Sequence, residues 1–131
     1  MTQTQSNTQS TFELAVLAAN LAESKKAMDV VILDTGTVSY LADYFVICSG
    51  ESTAQIRAIT DEIDRAFKRM GYNRMGVEQD KSNRWCLLDY GDIIVHVMHP
   101  QERQFYQLEH FWSHANVLTP THWAQRLSEA S

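Results

Sequence analysis

Between Trp85 and Trp112 almost every polar residue is of a type that makes strong, directed contacts: Asp89, Asp92, His96, His99, Arg103, Tyr106 and Glu109. They do not fall into a reaction centre. His96 and His99 stand three apart around an expected strand end, and His110 and His114 stand i, i+4 on a helix face. The second spacing suits zinc, but a site needs a third ligand in reach, and the commoner outcome is a polar edge histidine. Leu33-Asp34-Thr35-Gly36 has the form of the loop that carries the catalytic aspartate of aspartic proteases. A second copy of a small chain would supply the other carboxylate, the two sharing one proton. That chemistry belongs to an almost all-β fold, and a tripeptide without its context is weak; the plain reading is a strand end and a turn. Ser49-Gly50-Glu51-Ser52 lies between a strand and a helix, where a phosphate can sit on the helix N-terminus. Nucleotide-transferring enzymes of similar layout follow such a Gly-Ser with an Asp-x-Asp metal pair, and no Asp-x-Asp occurs in this chain. Without two carboxylates to hold magnesium, phosphoryl transfer loses its main charge stabilisation, so the segment reads as a helix cap. A dimeric aspartic-protease-like enzyme or a degenerate nucleotidyltransferase is the alternative to a contact surface without catalysis.

The elements that must position these residues are legible in turn. Residues 1–9 are Met, Thr, Gln, Ser and Asn with nothing to bury and read as a disordered tail. Ser10 and Glu13 fit a capping box, followed by Leu14, Leu17, Ala18 and Leu21 as one apolar helical stripe ending near Lys25-Lys26. Val30-Val31-Ile32-Leu33 and Tyr44-Phe45-Val46-Ile47-Cys48 are apolar runs of the kind buried on both faces of a sheet. Ser52 and Gln55 open a second capped helix with Ile56, Ile59, Ile63, Phe67 and Met70 toward the core, stopped by Gly71. Met75 to Glu78 reads as a short edge strand, and Gln79 to Arg84 as a polar loop. Trp85–Tyr90 and Ile93–Met98 flank Gly91-Asp92, a pair suited to a hairpin turn. Alternation places Trp85, Leu87 and Asp89 on one face and Cys86, Leu88 and Tyr90 on the other. Pro100 opens a helix with Phe105, Leu108 and Trp112 as its expected buried stripe, and a short helix is expected around Trp123 and Leu127. The expected class is α/β (α+β): one domain over residues 10–115, a mixed sheet of about five strands flanked by helices, and a C-terminal extension over 116–131.

A chain of 131 residues buries roughly two-thirds of its unfolded surface, enough for a real core. The formal charge is −5, and the basic residues (Lys25-Lys26, Lys68-Arg69, Arg126) form no stripe. Direct nucleic-acid binding is therefore disfavoured, whereas an acidic domain suits a basic protein partner. No apolar run approaches the roughly 20 residues needed to span a bilayer, and the N-terminus has neither a basic start nor an Arg-rich stretch. The expected compartment is the cytoplasm. Cys48 and Cys86 each lie in an apolar run and read as reduced core thiols, a disulfide between them being the minor alternative. An exposed Trp beside a Tyr is the usual make-up of an interface hot spot, which directs attention to Trp85 and Tyr90.

Several long blocks, in order, carry a family resemblance. Asp43-Tyr44-Phe45-Val46-Ile47 with Ser49-Gly50 and Gln55, Trp85-x-Leu-Leu-Asp-Tyr-Gly-Asp92, Val95-His96-Val97, and Arg103-x-Phe-Tyr-x-Leu-Glu109 with Trp112 closely resemble the ribosomal silencing factor, or Iojap-like, family. The resemblance spans roughly Leu14 to Ala115. It implies a small mixed-sheet domain laid out like the nucleotidyltransferases but without their catalytic carboxylates, needing no cofactor. It implies a factor that docks on ribosomal protein fourteen of the large subunit, blocks joining of the small subunit when nutrients are scarce, and is a homodimer when free. Carried over residue by residue, it places the partner surface on Trp85, Leu87, Asp89 and Tyr90, with Asp92 and His96 nearby and Asp43, Tyr44 and Arg103 as secondary candidates. Tyr106, Glu109 and Trp112 are implied to hold the last helix to the sheet. One departure is Glu78-Gln79, where the family usually has Glu-Gly, which leaves the shape of that loop open.

Overall fold

Ser10 starts the first helix, α1 (Thr11–Ser24), through both arms of its capping box: its Oγ accepts from the Glu13 N–H at 3.1 Å, and Glu13 Oε1 accepts from the Ser10 N–H at 3.0 Å. The buried face of α1 is rich in alanine (Ala15, Ala18, Ala19, Ala22), which lets the helix lie close on the sheet. The computed structural model describes residues 10–35, 42–79, 84–107 and 116–130. Helix α2 (Thr53–Arg69) is capped by Ser52, but its Gln55 does not complete a box. Gln55 Oε1 accepts from the Glu51 N–H at 2.7 Å, and its Nε2 donates to the carbonyls of Lys25 and Lys26, so this side chain ties the end of α1 to the start of α2. Ile56, Ile59, Ile63 and Phe67 are buried as their spacing requires. Met70, expected on the same stripe, is 38% exposed. It is the C-cap residue, where the helical direction is lost before Gly71 (φ 93°) turns the chain.

The strands β1 (Met28–Asp34), β2 (Tyr44–Ser49), β3 (Gly76–Gln79), β4 (Trp85–Asp89), β5 (Ile93–Met98) and β6 (Asn116–Leu118) form one mixed sheet, ordered β3-β4-β5-β2-β1-β6. The class is as the sequence implies, with six strands among the described residues instead of about five; the sixth comes from the C-terminal segment and pairs with β1. Among the described strands only β2 and β5 run parallel, in register from Tyr44↔Ile93 to Ser49↔Met98. The other neighbouring strands are antiparallel. One face of the sheet (Ile32, Val46, Cys48, Leu88, Val95, Val97) is covered by α1, α2 and the helix α4 (Pro120–Ala130), whose Trp123 is buried in the same cluster. The other face gathers Leu33, Phe45, Ile47 and Met98, with Val31, Trp85 and Ile94 packed against them.

The helix expected from Pro100 onward is short. Helix α3 (Pro100–Tyr106) stops at Gln107, which takes the left-handed conformation at φ 49°, ψ 54°. Of the expected stripe, Phe105 is 79% exposed, and Leu108 and Trp112 lie outside the described residues. Cys48 and Cys86 both align with Val97 in register, two strands apart, which separates them by roughly 9–10 Å and puts them beyond disulfide reach. Both are free and buried, and burial pushes the Cys48 thiol up to about 12.

Two measurements check this packing. A Cβ at Gly50 would stand 2.9 Å from Cγ1 of the buried Ile56, so Gly50→Ala is expected to lower Tm by about 5 °C or more, read by thermal unfolding. An unchanged melting curve would show that this strand-to-helix junction can relax. A thiol reagent at pH 8 is expected to leave native protein unlabelled and to modify both cysteines once it is unfolded.

Candidate docking surface

The site begins with the two-residue period of β4. Cys86 and Leu88 are buried on the helix-covered face, whereas Trp85, Leu87 and Asp89 are half-buried on the other. Pairing with β5 sets Leu87 opposite His96 and Asp89 opposite Ile94, and β5 in turn sets Ile47 beside His96 and Phe45 beside Ile94. The result is a buried floor of Phe45, Ile47, His96 and Met98 with a half-exposed edge of Trp85, Leu87 and Ile94, and Asp89 at one end.

His96 is 5% exposed, and its Nδ1 accepts the Trp85 indole Nε1–H at 3.2 Å, across the diagonal of the strand pair. The rings lie 5.9 Å apart, and Phe45 lies 5.5 Å from the imidazole on its other strand neighbour. An indole N–H only donates, so Nδ1 must hold a lone pair and the ring proton sits on Nε2. Burial pushes the imidazole down to about 4, which keeps this neutral form.

Arg84, just before β4, was not singled out by any spacing rule, yet it joins the strand to α3. Its Nε donates to Glu102 Oε1 at 2.8 Å, and its terminal nitrogen donates to Gln101 Oε1 at 2.8 Å and to His99 Nδ1 at 3.0 Å. His99 Nδ1 also caps α3 by accepting from the Gln101 N–H. Arg103, on the same helix, donates to Ser49 Oγ at 3.1 Å. Both His96 and His99 thus have Nδ1 already engaged. Among the described residues no cluster of three His, Cys, Asp or Glu is placed to hold a metal; Glu109, His110 and His114 lie outside them.

Other expected site residues are placed apart from Trp85. Tyr90 sits on the helix-covered side, its hydroxyl donating to Asp64 at 2.8 Å and its ring 4.6 Å from Phe67; burial and that carboxylate raise its phenol above the usual range. Tyr44 also points to that side, 5.7 Å from Phe12, and burial followed by Asp34 raises its phenol. Asp43 and Asp92 are exposed where the hairpin meets β2, the Asp92 carbonyl accepting both the Asp43 and Tyr44 N–H groups. Asp89 shapes the hairpin by accepting the N–H of Gly91, whose φ is 90°. Asp34 is held by Arg126 at 3.1 Å, and that guanidinium lies 4.5 Å over the Phe12 ring and donates to Tyr44. It ties the last helix to the sheet; Gly36 lies outside the described residues.

A family model described as "Ribosomal silencing factor during starvation" matches residues 8–131. The chain belongs to the ribosomal silencing factor family. It is 41% identical over 103 residues to the ribosomal silencing factor of Halalkalibacterium halodurans, covering 79% of this chain and 88% of that protein. A crystal structure of protein CV0518 from Chromobacterium violaceum superposes with a TM-score of 0.77 at 31% identity, over 80% of this chain and 88% of that one. More distant is a Mus musculus protein named "Mitochondrial assembly of ribosomal large subunit protein 1", 27% identical over 105 residues, covering 78% of this chain and 46% of that protein. In this chain the family block Trp85 to Asp92 is thus a hairpin arm whose apolar side lies over His96.

The neutral imidazole carries a stability prediction. Burial depresses the His96 pKa from 6.5 to about 4, so as pH falls the unfolded chain takes up this proton first. The contribution is fully present above pH 6.5 and is lost as pH drops toward 4, by on the order of 3 kcal/mol. His96→Asn keeps an acceptor and removes the titration. The stability advantage of wild type over this variant should shrink between pH 6.5 and 4 in denaturant titrations; a difference constant across that range would refute the assignment.

Proposed function

We propose that this chain is a translational repressor without catalytic activity. In this reading it binds the large ribosomal subunit through ribosomal protein fourteen, and by occupying that surface keeps the small subunit from joining when nutrients are limiting. Family membership carries the ribosomal assignment. The observation that points to a docking role is the half-exposed Trp85–Leu87 edge on a sheet face that carries, among the described residues, only the short helix α3. Large aromatic anchors over a packed apolar floor dominate binding energy at protein interfaces. The net charge of −5, with Asp89 at the patch and Asp43 and Asp92 exposed beyond it, suits a basic ribosomal protein. Arg103 holds α3 at this face through Ser49, whereas Tyr90 and Tyr44 lie on the helix-covered face and support the sheet from behind. The name of the mouse relative, which refers to the large subunit, supports the choice of subunit. The factor acts in the cytoplasm, without a cofactor or direct nucleic-acid contact, and is a homodimer when free.

Purified protein should co-sediment with isolated large subunits and shift a gradient from joined ribosomes toward free subunits; an unchanged ratio despite binding would refute occlusion. Trp85→Ala is expected to weaken large-subunit binding by about 2 kcal/mol or more, roughly thirtyfold. A folded variant that binds as well as wild type removes Trp85 from the contact.

A further inference from the structure

Strand β5 reads Ile93-Ile94-Val95-His96-Val97-Met98, and its single polar side chain is buried under the docking face. A leucine there would fill the space without the cost of taking an imidazole out of water. What the imidazole adds is an acceptor aimed at Trp85: Nδ1 lies 3.2 Å from the indole Nε1. Phe45, 5.5 Å away on the neighbouring strand, packs on the ring and limits its rotation. His96 is too buried to be a contact residue of any size, whereas the indole above it is half-exposed. An indole N–H in such a setting takes a partner, and a side chain held in its bound rotamer loses less freedom on association.

We propose that His96 is a positioning residue: through its Nδ1 acceptor, braced by Phe45, it fixes the Trp85 indole in the orientation that docks. The proposal rests on the docking reading above, and it concerns how the anchor is held. It separates two roles within one patch, Trp85 touching the partner and His96 acting only through Trp85.

The test uses the full chain, isolated large subunits and two conservative variants. His96→Asn carries an amide oxygen near the position of Nδ1; His96→Gln carries one near Nε2 and removes the acceptor at the Nδ1 position. His96→Gln should bind large subunits about tenfold more weakly and His96→Asn within about threefold of wild type. Trp85→Phe, which lacks the donor, should bind no more weakly when combined with His96→Gln than alone, because the interaction is already gone. Proton exchange at the Trp85 indole, followed by ¹H–¹⁵N NMR on the free protein and assigned with Trp85→Phe, should be slow in wild type and His96→Asn and fast in His96→Gln. Additive losses, or equal exchange in His96→Asn and His96→Gln, would overturn the positioning role. If Trp85→Ala itself binds normally, the docking reading fails and the indole exchange alone decides whether His96 holds Trp85.

Discussion

The parallel pairing of β2 with β5 fixes what every other element can do. It joins two apolar strands in six aligned steps, from Tyr44 beside Ile93 to Ser49 beside Met98, at the middle of the sheet. Parallel strands cannot be closed by a tight turn, so the chain between them must cross over, and α2 does so on one face. The β4–β5 hairpin then extends the sheet on one side while β1 and β6 extend it on the other. A slip of one residue in the central pair would reverse the faces of every side chain on β5 relative to β2. His96 would leave Ile47 and Phe45, and Trp85 would lose its acceptor.

From that register follows an asymmetry between the two faces. One is closed by α1, α2 and α4 over a cluster of Ile, Val and Leu with the two thiols, and its polar groups at the edge are mutually engaged: Tyr90 with Asp64, and Arg126 with Asp34 and Tyr44. The other has a smaller buried cluster and a half-exposed apolar edge. Among the described residues the closed face holds the larger buried cluster. The imidazole buried there is tolerated because it is neutral and hydrogen-bonded, and no buried polar side-chain atom among the described residues lacks a partner.

Much of this was legible locally. The period of two in β4 separates Trp85, Leu87 and Asp89 from Cys86, Leu88 and Tyr90 within five or six residues, and the burial pattern follows it. The Ser10–Glu13 box and the Gly71 stop are likewise local, depending on groups three or four positions apart. Spacing misleads at helix ends. Met70 and Phe105 sit on apolar stripes by spacing, but one is a cap and the other precedes a left-handed residue at Gln107, which no periodicity announces. Gln55 has the spacing of a capping-box partner, but its amide donates to the carbonyls of Lys25 and Lys26, some thirty positions back.

The sequence by itself determined the family, the class of fold, the strands of the Trp85–Met98 hairpin and the side of the strand on which Trp85 lies. All of these depend on residue type and short spacing. Tertiary structure alone decided who meets whom: Trp85 with His96, Arg84 with Glu102, and Arg126 with Asp34, pairs 11, 18 and 92 residues apart. It also set Tyr44 and Tyr90 against the helices, away from Trp85. The physical reason is that backbone periodicity specifies the direction in which a side chain points, while its neighbour across the sheet is set by register, and register is decided by the packing of the whole core.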